Sequence, residues 1–367
     1  MVLRGINIEN FRNYDSQSFS FGEGVNLICG ENAQGKTNIL EAIFFFSSLK
    51  SFRSVKDIEL IRNNQDLSKI KIEFFCQKRE NSAQIKFFKE KRKEIYLNDI
   101  KINKNAEFIG AFKCILFSPE DLSIVKQGPA NRRTFLDMLI CQLRPKYFTY
   151  LKLHNKIIEQ KNALLKNHYF FDNGTTLDIL NSKLSEILFY IVTNRQNYLD
   201  LLCDIAKQEH LKISEDREVL NISSKSLFNL CGENGGKEAI FEILSAMKQK
   251  ELSCGMCLAG AHRDDFEIEL NGKNVKTYGS QGQQRSVVLN LKMSACELIK
   301  REFGEYPVIL LDDIMSELDI KRQEYIINNI KDKQVFITCC EREKFKKLKE
   351  GKVFLIDSGS LKKDYDI

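Results

Sequence analysis

The sequence predicts an α/β head with an antiparallel β meander, split by an inserted all-helical domain. Three observations carry this. Gly30-Glu31-Asn32-Ala33-Gln34-Gly35-Lys36-Thr37 fits G-x-x-x-x-G-K-[ST] and stands between a short apolar strand and a helical run. Val308–Leu311 is a second apolar strand, and it ends on the paired carboxylates Asp312 and Asp313. Between them the hydrophobic period changes from two to roughly 3.6 near Arg132, and the α/β pattern returns near residue 254. The resulting boundaries are 1–125 for the first half of the head, 126–250 for the helical insert and 251–367 for the second half.

Bulk properties set the outer limits. The 367 residues suffice for two or three domains, and 43% hydrophobic with 29% charged is ordinary for a globular chain. A net charge of +6 permits nucleic-acid binding without demanding it. Eleven cysteines without framework spacing indicate a reducing compartment. No apolar run reaches the length a bilayer requires, and Met1-Val2-Leu3-Arg4 begins no signal peptide. The expectation is a cytoplasmic protein with no membrane partner.

In chain order, Leu3–Phe11 alternates as a half-buried strand should, and Phe19-Ser20-Phe21 alternates before Gly22-Glu23-Gly24 turns the chain. Val25–Cys29 is then the strand that enters the glycine loop. The two loop glycines let backbone wrap an anion closely, and the next helix aims its free N–H groups and positive dipole end at it. Lys36 is suited to the β- and γ-phosphates of a nucleotide, and the Thr37 hydroxyl to Mg²⁺. Ile39, Ile43 and Phe46 share the buried face of that helix. Beyond it, Arg53 is either a phosphate-contacting arginine or a solvated loop residue. Lys69–Cys76, Ala83–Lys89, Lys93–Leu97 and Lys101-Ile102-Asn103 read as the meander, with a basic tip at Lys89–Lys93 that is either a solvated turn or a DNA-backbone contact.

Cys114–Phe117 is another buried strand. Leu136, Leu139, Ile140 and Leu143 then share a helical face, Pro145 breaks that helix, and a second runs from Tyr147 to about Lys166. Asn173-Gly174 marks a turn. Leu177, Leu180, Leu184, Ile187, Ile191, Tyr198, Leu202 and Ile205 continue as one apolar stripe interrupted by Arg195. In the last third, Phe266–Leu270 alternates into the hairpin signal Asn271-Gly272. Ser280-Gln281-Gly282-Gln283-Gln284-Arg285 opens a helix to about Glu302: Ser280 is a good N-cap, Gly282 allows close approach, and a polar helix N-terminus is a second anion site. Asp312 and Asp313 sit at the C-terminal end of their strand, where open parallel sheets bind ligands. Asp312 is suited to hold Mg²⁺, and Asp313 to orient or deprotonate an attacking water. Ser316-Glu317-Leu318-Asp319 and the core strand Val335–Thr338 follow.

Glycine loop, S-x-G-Q, acidic strand and S-x-L-D, in that order, resemble the ATP-binding-cassette ATPases. The finer resemblance is to the RecF recombination mediators, relatives of the SMC proteins. It is carried by Asn10-Phe11-Arg12-Asn13-Tyr14, Phe117–Leu122, Arg132–Asp137 and His262-Arg263-Asp264-Asp265, and it spans nearly the whole chain. What it implies is an ABC-type head that binds ATP with Mg²⁺, forms a homodimer on ATP, binds duplex and gapped DNA, hydrolyses ATP slowly and helps load recombinase with RecO and RecR. Each ATP would lie between the Gly30–Thr37 loop of one subunit and Ser280, Gly282 and Gln283 of the other. A transporter ATPase subunit and an SMC-type chromosome-structural head are the alternatives. The first is disfavoured by Thr338-Cys339-Cys340 where transporters place a histidine. The second is disfavoured because the insert is too short for a long coiled-coil arm.

Two departures from the family pattern are Ala33, a usual glycine position that matters little if the backbone there is helical, and Ala261, where proline is usual. Cys254-Gly255-Met256-Cys257 lacks the further ligands a zinc site needs and reads as buried thiols in a strand. His262 is either a structural turn residue or a contact to nucleotide or DNA.

Overall fold

The fold is described from a computed structural model covering residues 1–53, 55–166, 175–227, 229, 235–316, 318–340 and 350–366. The expected turn at Asn173-Gly174 and Glu317 of the S-x-L-D stretch lie outside the described residues. The chain divides into two compact units, Met1–Asp121 with Lys292–Ile367, and Leu122–Leu291.

The first unit holds two six-stranded sheets. One is the antiparallel sheet, order β2-β1-β4-β5-β6-β7, from β1 (Val2–Phe11), β2 (Tyr14–Ser20), β4 (Leu67–Cys76), β5 (Arg79–Phe88), β6 (Glu94–Leu97) and β7 (Ile100–Ile102). It contains the expected meander. The other has the order β15-β14-β3-β13-β12-β8, from β3 (Val25–Cys29), β8 (Cys114–Phe117), β12 (Val308–Leu311), β13 (Val335–Cys339), β14 (Lys352–Asp357) and β15 (Ser360–Asp366). It is parallel except for β15. Strands β3, β8, β12 and β13 are buried along their whole length, which is why they read as mostly apolar runs without alternation.

The helix Lys36–Ser48 is buried on nearly all sides, so its FFF run is core rather than surface. Phe45 meets Phe87 of β5 edge-on at 4.9 Å between ring centroids, and Ser47 accepts a hydrogen bond from Cys114 of β8 at 3.1 Å. The helix therefore touches both sheets, and the loop before it is fixed by the packing of both.

The second unit contains the helices Pro129–Leu143, Pro145–Lys166, Thr175–Ser214, Lys237–Ala246 and Lys248–Cys254. It also holds a three-stranded sheet of β9 (Leu220–Lys225), β10 (Asp265–Leu270) and β11 (Lys273–Asn274). Among the described residues of 126–250 the regular elements are helices and β9. Six residue pairs join β9 to β10, which keeps the hairpin with the helices up to Leu291. Asn271 and Gly272, both at positive φ, make the expected two-residue turn between β10 and β11.

Arg195, which interrupts the stripe of the 40-residue helix, is buried for a reason. Its guanidinium pairs with Asp137 and with Asp264, each at 2.8 Å, and donates to the Ala261 carbonyl at 2.5 Å. Arg132 grips Asp265 through two bonds of 2.6 and 2.9 Å. The Arg132–Asp137 and His262–Asp265 motifs are therefore complementary halves of one buried ionic network. Each charge in it is paired and hydrogen-bonded, as burial requires.

The cysteine motif differs from its expectation. Cys254 is exposed at the end of a helix, and Gly255 caps that helix in the left-handed conformation at φ 67°. Cys257 lies beyond the cap against Leu165 and Leu177. Neither is in a strand as expected, because Gly255 ends a helix between them as its C-cap.

Candidate functional site

Backbone geometry builds the site first. Gly30 follows β3 at a point where a Cβ would stand 2.3 Å from the Ile356 carbonyl oxygen, so only glycine fits. Gly35 caps the following helix at φ 108°, and a Cβ there would meet the Asn13 amide at 2.7 Å. Among the described residues none accepts a hydrogen bond from the backbone N–H of Gln34, Gly35, Lys36 or Thr37. These are the donors that a strand–loop–helix nest offers to an anion. Ala33 lies at φ 64°, in the left-handed region and not in a helical one. The expectation of a harmless replacement is corrected: a Cβ there costs about 1 kcal/mol against the preceding and following peptides.

Side chains complete a cavity of about 320 Å³ lined by residues 32–38, Arg53, Asp313 and Thr338. The Lys36 ammonium donates to the carbonyls of Gly30 at 2.6 Å and Glu31 at 2.9 Å, so it lies along the inner side of the loop. Thr37 donates its hydroxyl to Asp312 Oδ1 at 2.9 Å, and Thr338 reaches the same oxygen at 3.0 Å. Burial pushes the Asp312 carboxyl above the usual carboxylate range, while the two hydroxyl donors pull against that shift. Asp313 sits one residue on at φ 50°, its N–H donating to Thr338 Oγ1 at 2.8 Å. The structure therefore brings Asn32–Thr37, Arg53, Asp312 and Asp313 together within the first unit.

Ser280, Gly282 and Gln283 belong to the second unit, at the start of the Gln281–Phe303 helix. Ser280 Oγ accepts from the Gln283 N–H at 3.2 Å and Gln283 Oε1 accepts from the Ser280 N–H at 2.8 Å. That reciprocal pair is a capping box, which holds the two side chains at the helix mouth.

Sequence reading missed the residues that brace the loop. Asn13 donates to the Gln34 carbonyl at 3.0 Å and accepts from Asn38 at 2.8 Å, and Tyr14 donates to the Gly35 carbonyl at 3.1 Å. Arg12 grips the fully buried Glu41 of the loop helix. Arg53, one of two open readings, has its guanidinium on Asn38 Oδ1 at 2.9 Å and lines the cavity. The Asn10–Tyr14 motif thus has a mechanical role: its turn bolts the phosphate loop from behind.

At the basic tip, Lys89 pairs with Asp66 and Lys91 with Glu94, and Lys91 lies over the Phe88 ring at 3.8 Å. Lys93 pairs with Asp57 and donates to the Leu49 carbonyl, its ammonium pushed down by burial. Much of the charge read from the sequence is therefore spent locally. His262 packs 5.7 Å from His154 and shares a 3.4 Å contact with the Cys257 carbonyl, a turn position within the second unit. Among the described residues no cluster of three or more His, Cys, Asp or Glu is arranged to hold a metal, and no helix is long and apolar enough to cross a membrane.

Residues 2–358 match the family described as RecF/RecN/SMC N terminal domain. The DNA replication and repair protein RecF of Acetivibrio thermocellus is 40% identical over 349 residues, covering 94% of this chain and 95% of that protein. The chain belongs to the RecF family. The RecF of Clostridium acetobutylicum is 39% identical over 364 residues, 98% of this chain and 99% of that protein. A solved RecF, described as the recombination mediator protein RecF-ATPrS in the RecFOR pathway, superposes with a TM-score of 0.91 at 34% identity, over 98% of this chain and 97% of that one. An Smc head bound to the C-winged helix domain of ScpA shares the fold, with a TM-score of 0.58 at 14% identity over 100% of this chain and 98% of that one. The RecF fold, an ABC-type head with mixed α/β content, is therefore the fold of this chain.

Proposed function

We propose that this chain is an ATP-binding protein of DNA replication and repair that forms a homodimer on ATP at duplex and gapped DNA and hydrolyses ATP slowly. The observation that carries the reading is Thr37 Oγ1 set 2.9 Å from Asp312 Oδ1 beside the Gln34–Thr37 N–H groups, from which none of the described residues accepts a hydrogen bond. Two hard oxygen donors at the rim of a phosphate nest fit Mg²⁺, which takes one or two protein oxygens alongside phosphate oxygens. Bound there with a nucleotide, Mg²⁺ would supply charge neutralisation to the phosphates.

The residues have separable tasks. The N–H groups of Gln34–Thr37 bind phosphate oxygens, and Lys36 adds a point charge once it leaves the Gly30 and Glu31 carbonyls. Asp313, on the wall of the cavity, orients or deprotonates the attacking water. Ser280, Gly282 and Gln283 serve the ATP of a second subunit, since one chain otherwise carries two anion-binding helix mouths for one nucleotide. RecO and RecR as partners, and recombinase loading, rest on the family and on the RecFOR pathway of the solved relative.

The test is nucleotide-dependent assembly on DNA. ATP should convert monomer to dimer, ADP should not, and DNA affinity should fall steeply from low to moderate salt, as phosphate contacts require. A salt-independent affinity, or the same assembly with ADP as with ATP, contradicts the reading.

A further inference from the structure

Transporter-type cassettes place a histidine after the strand that corresponds to β13, and this chain has Thr338-Cys339-Cys340 there. Thr338 is 2% exposed, yet it lines the cavity and its hydroxyl is fully engaged. The oxygen accepts the Asp313 N–H at 2.8 Å and the hydroxyl proton is donated to Asp312 Oδ1 at 3.0 Å, the Leu311 carbonyl being further at 3.5 Å. A hydroxyl has one proton, so donation to one carboxylate and acceptance from the other residue's backbone can hold together. Asp312 Oδ1 also takes the Thr37 hydroxyl, so one carboxylate oxygen joins the loop helix, β12 and β13.

The backbone at Asp313 makes this contact consequential. Its φ of 50° is uncommon for a residue with a side chain, and such a conformation persists where its surroundings over-determine it. The Thr338 hydroxyl is what receives the N–H in that conformation. Without it the turn after β12 loses the acceptor of that N–H, and the backbone that aims the Asp313 carboxyl is less firmly held.

We infer that Thr338 is a positioning residue for ATP hydrolysis, fixing the metal-side Asp312 and the water-side Asp313 in one mutual geometry through a single hydroxyl. The inference rests on the nucleotide-site reading above and assigns the β13 strand end a task in it. Outer partners of a metal ligand typically set affinity or activity by roughly 10–100-fold.

The test compares Thr338→Val and Thr338→Ser in the full chain, with Lys36→Ala as a control on the site itself. Three quantities are measured: ATP affinity by equilibrium binding, steady-state kcat, and the Mn²⁺ affinity of the ATP-bound protein by electron paramagnetic resonance. Thr338→Val should keep ATP affinity within roughly twofold while kcat and Mn²⁺ affinity each fall roughly tenfold or more, and Thr338→Ser should restore both. If Thr338→Val does not fold, as judged by its melting curve, Thr338→Ala takes its place. Parental kcat and Mn²⁺ affinity in Thr338→Val overturn the inference, as does equal loss of ATP affinity and kcat, which marks a merely structural role. So does a Thr338→Ser variant no better than Thr338→Val. If Lys36→Ala binds ATP as the parent does, it is the nucleotide-site reading that fails, a result the Thr338 series alone cannot produce.

Discussion

Arg12 holds Glu41 through two parallel bonds, Nε to Oε2 at 2.8 Å and Nη2 to Oε1 at 2.7 Å, although the two residues lie on different elements, the β1–β2 turn and the loop helix. Glu41 is fully buried and Arg12 is mostly so, and Ser51 supplies a further donor to the same carboxylate. Breaking such a pair leaves an uncompensated charge in the core, which costs about 3 kcal/mol. Arg12→Ala should lower the unfolding free energy by about that much and weaken ATP binding with it. Lys69→Ala, which removes an exposed pair with Glu9, should cost less than about 1 kcal/mol. Denaturant titration of the two variants checks the contrast, and equal effects would show that Glu41 is not an anchor.

Ala33 predicts a gain. At φ 64° its Cβ is strained, so Ala33→Gly should stabilise the fold by about 0.5–1 kcal/mol, the relief of strain outweighing the added freedom of the unfolded chain. Gly35→Ala should do the reverse, since φ is 108° and Asn13 occupies the space. A melting temperature for Ala33→Gly at or below the parent's would contradict this account of the loop.

Lys36 and Asp313 separate binding from turnover. Lys36→Ala removes the charge placed for the β- and γ-phosphates and should lose ATP binding, dimerisation and hydrolysis together. Asp313→Asn should bind and dimerise as the parent does while hydrolysis slows. Turnover at the parental rate in Asp313→Asn would exclude it as the base.

The capping box offers a test of a shared site. Ser280→Arg should leave nucleotide binding by the isolated subunit intact but abolish ATP-dependent dimerisation. Mixed with Lys36→Ala it should recover association, because one composite site keeps both halves. If Ser280→Arg alone dimerised with ATP, Ser280 and Gln283 would be no more than a helix cap, worth about 1 kcal/mol.

Acid should destabilise the second unit through His154. Burial holds this imidazole down at about 4 against an ordinary 6.5, and the neighbouring His262 is also lowered by burial. The unfolded chain therefore binds the extra proton first. The stability contribution is complete above about 6.5 and is lost as pH falls from there toward 4. His154→Asn should flatten that part of the stability–pH curve, and an unchanged slope would show that His154 is not responsible.

The sequence alone determined whatever depends on neighbours along the chain. The Gly30–Thr37 loop, the β12 strand with Asp312 and Asp313, the Ser280 cap and the Asn271-Gly272 turn are each specified by a handful of consecutive residues. Their local geometry follows from dihedral preference, strand period and capping chemistry. Tertiary structure decided what those features rest on. Asn13 under Gln34, Tyr14 on Gly35 and Arg12 on Glu41 link residues twenty or more positions apart, and Thr338 reaches Asp312 across twenty-six. The same is true of Arg195, whose partners Asp137 and Asp264 turn an apparent fault in an apolar stripe into the centre of a core network. Polar side chains carry no periodic signal of their own destination: whether one is solvated or buried depends on the partner that the fold brings to it, and only burial makes that partner compulsory.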